Sequence, residues 1–148
     1  MNRSHEVIKM SNLQQAAAAP AMRDYPMDRI VQKNADRICV ERFVAFGDPI
    51  FSEHFPERAV LPGSFLLGTA IAAAQQLVDS QSAYRVEIER VVYLRPVEPG
   101  DILLLEVWRA PCKDAAQNRS AFRFTGSARH DSRPFAEGLL VLVDGGQP

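Results

Sequence analysis

Apolar and polar residues alternate along most of the second half of the chain. Tyr84, Val86 and Ile88 alternate with Arg85, Glu87 and Glu89, the period-two pattern of a strand with one face buried. The phase slips near Arg90, before Val92 and Leu94, which predicts a bulge. Pro96 to Asp101, containing Pro99-Gly100, reads as a turn, and Ile102 to Arg109 as the next strand. Phe122, Phe124, Gly126 and Ala128 then alternate with Arg123, Thr125, Ser127 and Arg129, and Phe135, Glu137, Leu139, Val141 and Val143 close the series. Upstream, Arg37 to Phe46 carries Ile38, Val40, Phe43, Val44 and Phe46, a strand composition, and Gly47-Asp48-Pro49 ends it. A loop through His54-Phe55-Pro56 follows.

The segment from Pro62 to about Val78 breaks this rhythm. It holds Phe65, Leu66, Leu67, Ala70 to Ala74, Leu77 and Val78. Alanine and leucine favour helix, and Pro62 stands where a helix can begin. The apolar residues cover nearly the whole circumference, so the helix must be wrapped by other structure. One helix cannot cover both faces of a sheet. A strongly curved antiparallel sheet enclosing the helix satisfies the burial pattern, an α+β arrangement.

A membrane span from Ala59 to Val78 fits poorly, because Pro62, Gly63, Ser64, Thr69, Gln75 and Gln76 interrupt it. Residues 1 to 22 lack the continuous apolar core of a signal peptide; Ala16 to Ala19 is a short run behind Asn12, Gln14 and Gln15. The pattern predicts a loose leader over 1–22, one domain over 23–144 and a frayed tail over 145–148. With 148 residues, a single core of ordinary size is expected. The net charge of −1 gives no electrostatic footprint for nucleic acid and no polybasic membrane anchor. Cys39 and Cys112 are far apart and belong to no CxxC pair, so neither a disulfide framework nor a zinc site is expected. This usage suits a reducing cytoplasm. Cys39 reads as a small buried hydrophobe.

The stretch Asp48-Pro-Ile-Phe-Ser-Glu-His-Phe-Pro-Glu-Arg-Ala-Val-Leu-Pro-Gly63 resembles the signature of the bacterial 3-hydroxyacyl-acyl carrier protein dehydratases of the FabZ and FabA type, approximately GHFPxxPxxPG before a buried helix. His54-Phe55-Pro56, Arg58, Pro62 and Gly63 fall in register. Val91 to Asp101 is similar to the family's RRPVxPGD reading, and Arg23-Asp24-Tyr25-Pro26 through Asp28-Arg29-Ile30 to its N-terminal segment in shortened form. The resemblance implies the hot-dog fold, with its curved sheet around a central helix. It implies His54 as the base that removes the proton beside the thioester carbonyl, a step suited to an imidazole. It implies the Gly63 N–H as the donor to the developing enolate oxygen. Phe55, Pro62, Ser64 and Thr69 would line the substrate site, and Arg58, Arg90 and Arg95 would attract the phosphopantetheine or the acidic carrier protein, Arg58 and Arg95 foremost for the carrier, although solvated surface charges read at least as well. No metal and no cofactor beyond the substrate's own phosphopantetheine is implied.

One position departs from the family. The acid that protonates the departing hydroxyl belongs fourteen residues after the histidine, and Gly68 stands there. The glutamine often found four residues further on is replaced by Ala72. Ser64, Thr69 and Glu57 are the nearby polar substitutes, but a neutral hydroxyl is a poor acid and Thr69 lies about 100° around the helix from Gly68. Several readings follow: a dehydratase active alone; a subunit that needs an acid-bearing paralogue, since each family site draws its histidine and acid from different subunits; a non-catalytic acyl-binding module; or a thioesterase of the same fold. Partners would be an acyl carrier protein or acyl thioester and a second subunit, as a homodimer or heterodimer, without nucleic acid or membrane.

Overall fold

The computed structural model describes residues 27–53, 58–78, 82–112 and 118–145. The leader over 1–22, the segment Arg23 to Pro26, the His54-Phe55-Pro56-Glu57 stretch and residues 146–148 lie outside them. Eight elements appear in order: β1 (Arg29–Lys33), β2 (Arg37–Phe43), α1 (Ile50–Glu53), α2 (Gly63–Gln75), β3 (Tyr84–Tyr93), β4 (Ile102–Ala110), β5 (Arg119–Ala128) and β6 (Asp131–Asp144). The alternating stretches are β3 to β6, and the unbroken apolar stretch is α2. Two short elements do not stand out in the apolar pattern. Strand β1 is exposed throughout, so no buried face marks it in the sequence. The single turn α1 falls where the prolines predicted only loop.

The six strands form one antiparallel sheet in the order β1-β2-β4-β5-β6-β3. The chain leaves β2 near one edge and returns at β3 on the other, and α2 carries it across. Helix α2 therefore lies over the sheet's inner face. Its residues Leu66 to Ala74 are buried without interruption. They meet Ile38 and Val40 of β2, Leu103, Leu105 and Val107 of β4, Phe122 and Phe124 of β5, Leu140 and Leu142 of β6, and Ile88 and Val91 of β3 in one apolar cluster. Each such side chain, fully removed from water, contributes about 1.5–3 kcal/mol before entropy is counted.

The expected slip in β3 is present: the pairing with β6 shifts between Ile88 and Arg90, leaving Glu89 as the extra residue. In β6 the inward set is Ala136, Gly138, Leu140 and Leu142, which face Gly126, Phe124, Phe122 and Ser120. Phe135 is buried as well, because the β5–β6 register shifts near Ser127 and Ala128. Cys39 is buried, as its apolar surroundings predicted, and burial pushes its thiol above the ordinary range, with Glu106 adding to the effect. A raised thiol is a weak nucleophile at neutral pH.

Gly138 is the position where this packing leaves no room. A Cβ there would collide with the backbone carbonyl of Arg90 and sit 2.6 Å from the Phe124 ring. The ring is held in the core and the carbonyl in a ladder, so neither moves freely. Gly138→Ala is expected to lower stability by about 1–3 kcal/mol, the usual cost of overpacking, read as a reduced urea midpoint at unchanged slope. A wild-type midpoint in that variant would show that the β3–β6 approach is looser than described.

Candidate active site

The two stretches that carry the resemblance meet at the start of α2. The Leu61 N–H donates to the Val97 carbonyl at 2.8 Å, and Arg58 forms an ion pair with Glu98. The Pro96–Asp101 turn is fastened in turn to the end of β2, through Val44 N–H to Asp101 O (3.0 Å) and Gly100 N–H to Val44 O (2.7 Å). Gly100 takes φ +94°, a conformation side chains disfavour, which is why a glycine closes this turn. The turn thus fixes where the chain enters the helix.

Pro62 caps α2 with φ −57° and ψ 137°, and no side chain caps the helix start. The first N–H groups of a helix have no partner within it, so Gly63 presents an open donor at the positive end of the helix dipole. The Tyr93 ring lies directly on Gly63: a Cβ there would stand 2.5 Å from the ring carbons. Tyr93 ends β3, which pairs only with β6 and so forms one edge of the sheet. The helix start and the sheet edge are therefore neighbours.

The predicted site residues separate on this frame. Gly63 and Pro62 lie half-buried at the helix start and Ser64 is exposed beside them. Gly68 is buried one and a half turns further along. His54 and Phe55, expected as base and lining residue, lie outside the described residues, as does Glu57. Arg58 is exposed and paired with Glu98. Arg95 is engaged within the fold: its guanidinium stacks 3.8 Å from the Phe135 ring centre and donates to the Arg133 carbonyl at 2.8 Å. His130 is exposed at the β5–β6 turn.

Thr69 is fully buried, and both functions of its hydroxyl are used. It donates to the Phe65 carbonyl at 2.9 Å and accepts from Arg42 Nη1 at 3.2 Å. That proton is not free to serve as an acid. Arg42 itself was not among the expected site residues. Its signal was present in the alternation, since Ile38, Val40 and Arg42 share the inward face of β2. Among the described residues it is one of two buried polar residues, with Thr69 as the other. Burial lowers the pKa of its guanidinium below the ordinary value, and Asp48 and Asp28 oppose that shift. Across Gly63 to Gln75 the only polar side chains are Ser64, Thr69 and Gln75; the helix carries no carboxylate at any position.

Thr69→Val keeps the side-chain shape but removes the acceptor from a buried guanidinium. It is expected to cost about 1–3 kcal/mol, whereas Thr69→Ser retains most of the stability. Chemical denaturation of the two variants side by side checks this; equal stability would mean that Arg42 draws nothing from the helix.

Comparison with known proteins agrees with this fold. The family model described as ApeI dehydratase, ApeI-like, matches residues 30–138. A 3-hydroxyacyl-[acyl-carrier-protein] dehydratase FabZ of Anaeromyxobacter dehalogenans is 34% identical over 131 residues, covering 80% of this chain and 80% of that protein. The FabZ of Roseiflexus castenholzii is 31% identical over 144 residues, covering 90% and 96%. Among solved structures, the dehydratase heterocomplex ApeI:P from Xenorhabdus doucetiae superposes with a TM-score of 0.60 at 21% identity, over 79% of this chain and 96% of that one. With an enclosed helix, an antiparallel sheet and the matched segment from Ile30 to Gly138, the chain has the hot-dog fold and belongs to the ApeI-like dehydratase family.

Proposed function

We propose that this protein contributes the histidine half of a 3-hydroxyacyl-thioester dehydratase site and takes the acid half from a paralogous subunit. The observation that carries the reading is the composition of α2. Its start keeps the proline, the glycine and the open N–H that dehydration needs, while its length holds no carboxylate. A family member with an intact donor and no acid is complete only beside a chain that has one.

In this reading the imidazole of His54 takes the proton from the carbon next to the thioester carbonyl. The Gly63 N–H donates to the thioester oxygen as charge develops on it. A carboxylic acid of the partner protonates the 3-hydroxyl, which leaves as water, and the double bond forms between carbons 2 and 3. The general acid supplies on the order of 10²–10⁴-fold of the rate. No metal or organic cofactor enters the balance. The substrate would be an acyl chain on a carrier-protein phosphopantetheine, in fatty-acid or polyketide-type synthesis, within the cytoplasm. Pro62, Ser64 and Phe55 would border its entry, and Arg58, more exposed than Arg95, suits a carrier contact better than Arg95, which is held against Phe135 and the Arg133 carbonyl.

Two features support a two-chain site. The helix start adjoins Tyr93 at the end of the edge strand β3, where a second subunit can extend the sheet. Tyr93 and Leu94 there are 41% and 50% exposed, a large apolar surface for a free edge. The likeness to a dehydratase heterocomplex points the same way.

The test is complementation. A Glu-bearing paralogue whose own histidine is replaced by alanine is inactive alone. Mixed with this chain, it should regain dehydration of a 3-hydroxyacyl thioester, and His54→Ala should remove that activity by at least 10²-fold. Gly68→Glu should confer activity on this chain without any partner. Turnover by the purified wild-type chain would show that it finds an acid elsewhere. Thioester binding without turnover in any mixture would identify an acyl-binding module instead.

A further inference from the structure

The outer face of the sheet, away from α2, carries a row of residues that dehydration does not use. The strand registers place Arg37 of β2 opposite Trp108 of β4, Trp108 opposite Arg123 of β5, Arg123 opposite Leu139 of β6, and Leu139 opposite Arg90 of β3. All point outward, since their neighbours Ile38, Val107, Phe122, Leu140 and Val91 point into the core. Trp108, Arg123, Leu139 and Arg90 line an open cleft of about 230 Å³, with Thr125 and Glu137 on its side. We infer that this cleft binds a phosphate-bearing nucleoside, its base against Trp108 and its phosphates between Arg123 and Arg90.

The chemistry of the row selects that ligand class. Arg37 is paired with Glu106 at 2.7 Å, but Arg90 and Arg123 are exposed and have no ion pair or hydrogen bond among the described residues. They flank β6, so their strands stand about 9.6 Å apart, two inter-strand spacings. Two forked donors at that separation suit an extended anion with several oxygens, and phosphates accept such forks well. Leu139 between them and the half-buried Trp108 beside Arg123 give an apolar floor. An indole offers a planar face of about one ring's width for stacking. From Trp108 to Arg90 the row runs about 14 Å, enough for a base, a ribose and two phosphates. Glu137 adds discrimination: an ionised carboxylate only accepts, so it rejects a bare polyanion and favours a ligand with hydroxyl or amine donors.

The row also argues against pairing of this face with itself through the arginines. Directly opposed copies would bring like charges together unless the two arginine rows were offset. A small anion with a planar ring meets every group in the cleft.

Trp108 is the single tryptophan of the chain, so its emission reports on this cleft alone. The full-length protein is titrated with adenosine 5′-diphosphate, inorganic pyrophosphate and coenzyme A. The diphosphate nucleoside should change the emission saturably at sub-millimolar concentration, and pyrophosphate should bind roughly tenfold more weakly for want of a stacking ring. Coenzyme A binding as tightly as the nucleotide places recognition in the nucleotide portion whatever its source; weaker binding restricts the source to free nucleotides. The double variant Arg90→Ala/Arg123→Ala should weaken nucleotide binding at least tenfold, and Arg129→Ala, an exposed arginine outside the cleft, should leave it unchanged. Calorimetry of Arg123→Gln repeats the measurement in a milder variant should the double variant unfold. A titration without saturation, or equal affinity in wild type and both cleft variants, overturns the inference.

Discussion

Burial of α2 on all sides is the constraint on which the rest of this structure depends. Nine consecutive residues, Leu66 to Ala74, are buried along a helix of thirteen. A helix with no polar face has no stable resting place against one flat layer. It is stable here because the sheet presents inward residues from β2 to β6. The four alanines at 70 and 72–74 keep the helix thin, so the sheet can close on it. The strand order follows from the same constraint. The helix must cross the inner face, so the chain that enters from β2 emerges at the opposite edge as β3.

That crossing also positions the chemistry. The N-terminal end of α2 arrives next to the end of an edge strand, with Tyr93 against Gly63. The Pro96–Asp101 turn pins this end to β2 and to the approach segment through four backbone and side-chain links. The Gly63 N–H, which we propose as the oxyanion donor, is held in place by a turn, a proline and a ring. Beside it the helix carries no carboxylate. Thr69, the residue after Gly68, is spent on fastening the helix to the buried Arg42. The helix itself therefore supplies no carboxylate to the site that we propose. The edge location is what our proposal of an acid from a second chain rests on.

Charge is distributed unequally between the two faces of the sheet. The inner face keeps Arg42 bonded to the helix and drawn below its ordinary pKa by burial, while Arg109 of β4 reaches over the Phe122 ring to the Leu77 carbonyl. The outer face holds a row of three, of which two have no protein partner among the described residues. A net charge of −1 conceals this arrangement completely.

The sequence determined the elements because local periodicity is set by backbone geometry. Alternation in Tyr84 to Ile88 and in Phe122 to Ala128 is enough to mark strands, the slip near Arg90 to mark a bulge, and an unbroken apolar run to mark an enclosed helix. The gap proposed at Gly68 is likewise a reading of the sequence alone, since the spacing from His54 is counted along the chain. Strand β1 was not legible as a strand, since with no buried face it carries no alternation. Tertiary structure alone decided which residues face one another. The Arg42–Thr69 link joins positions 27 apart, and the row from Arg37 to Arg90 spans five strands whose registers depend on how far each slides against the next. A register shift of one residue would turn every one of those side chains to the other face.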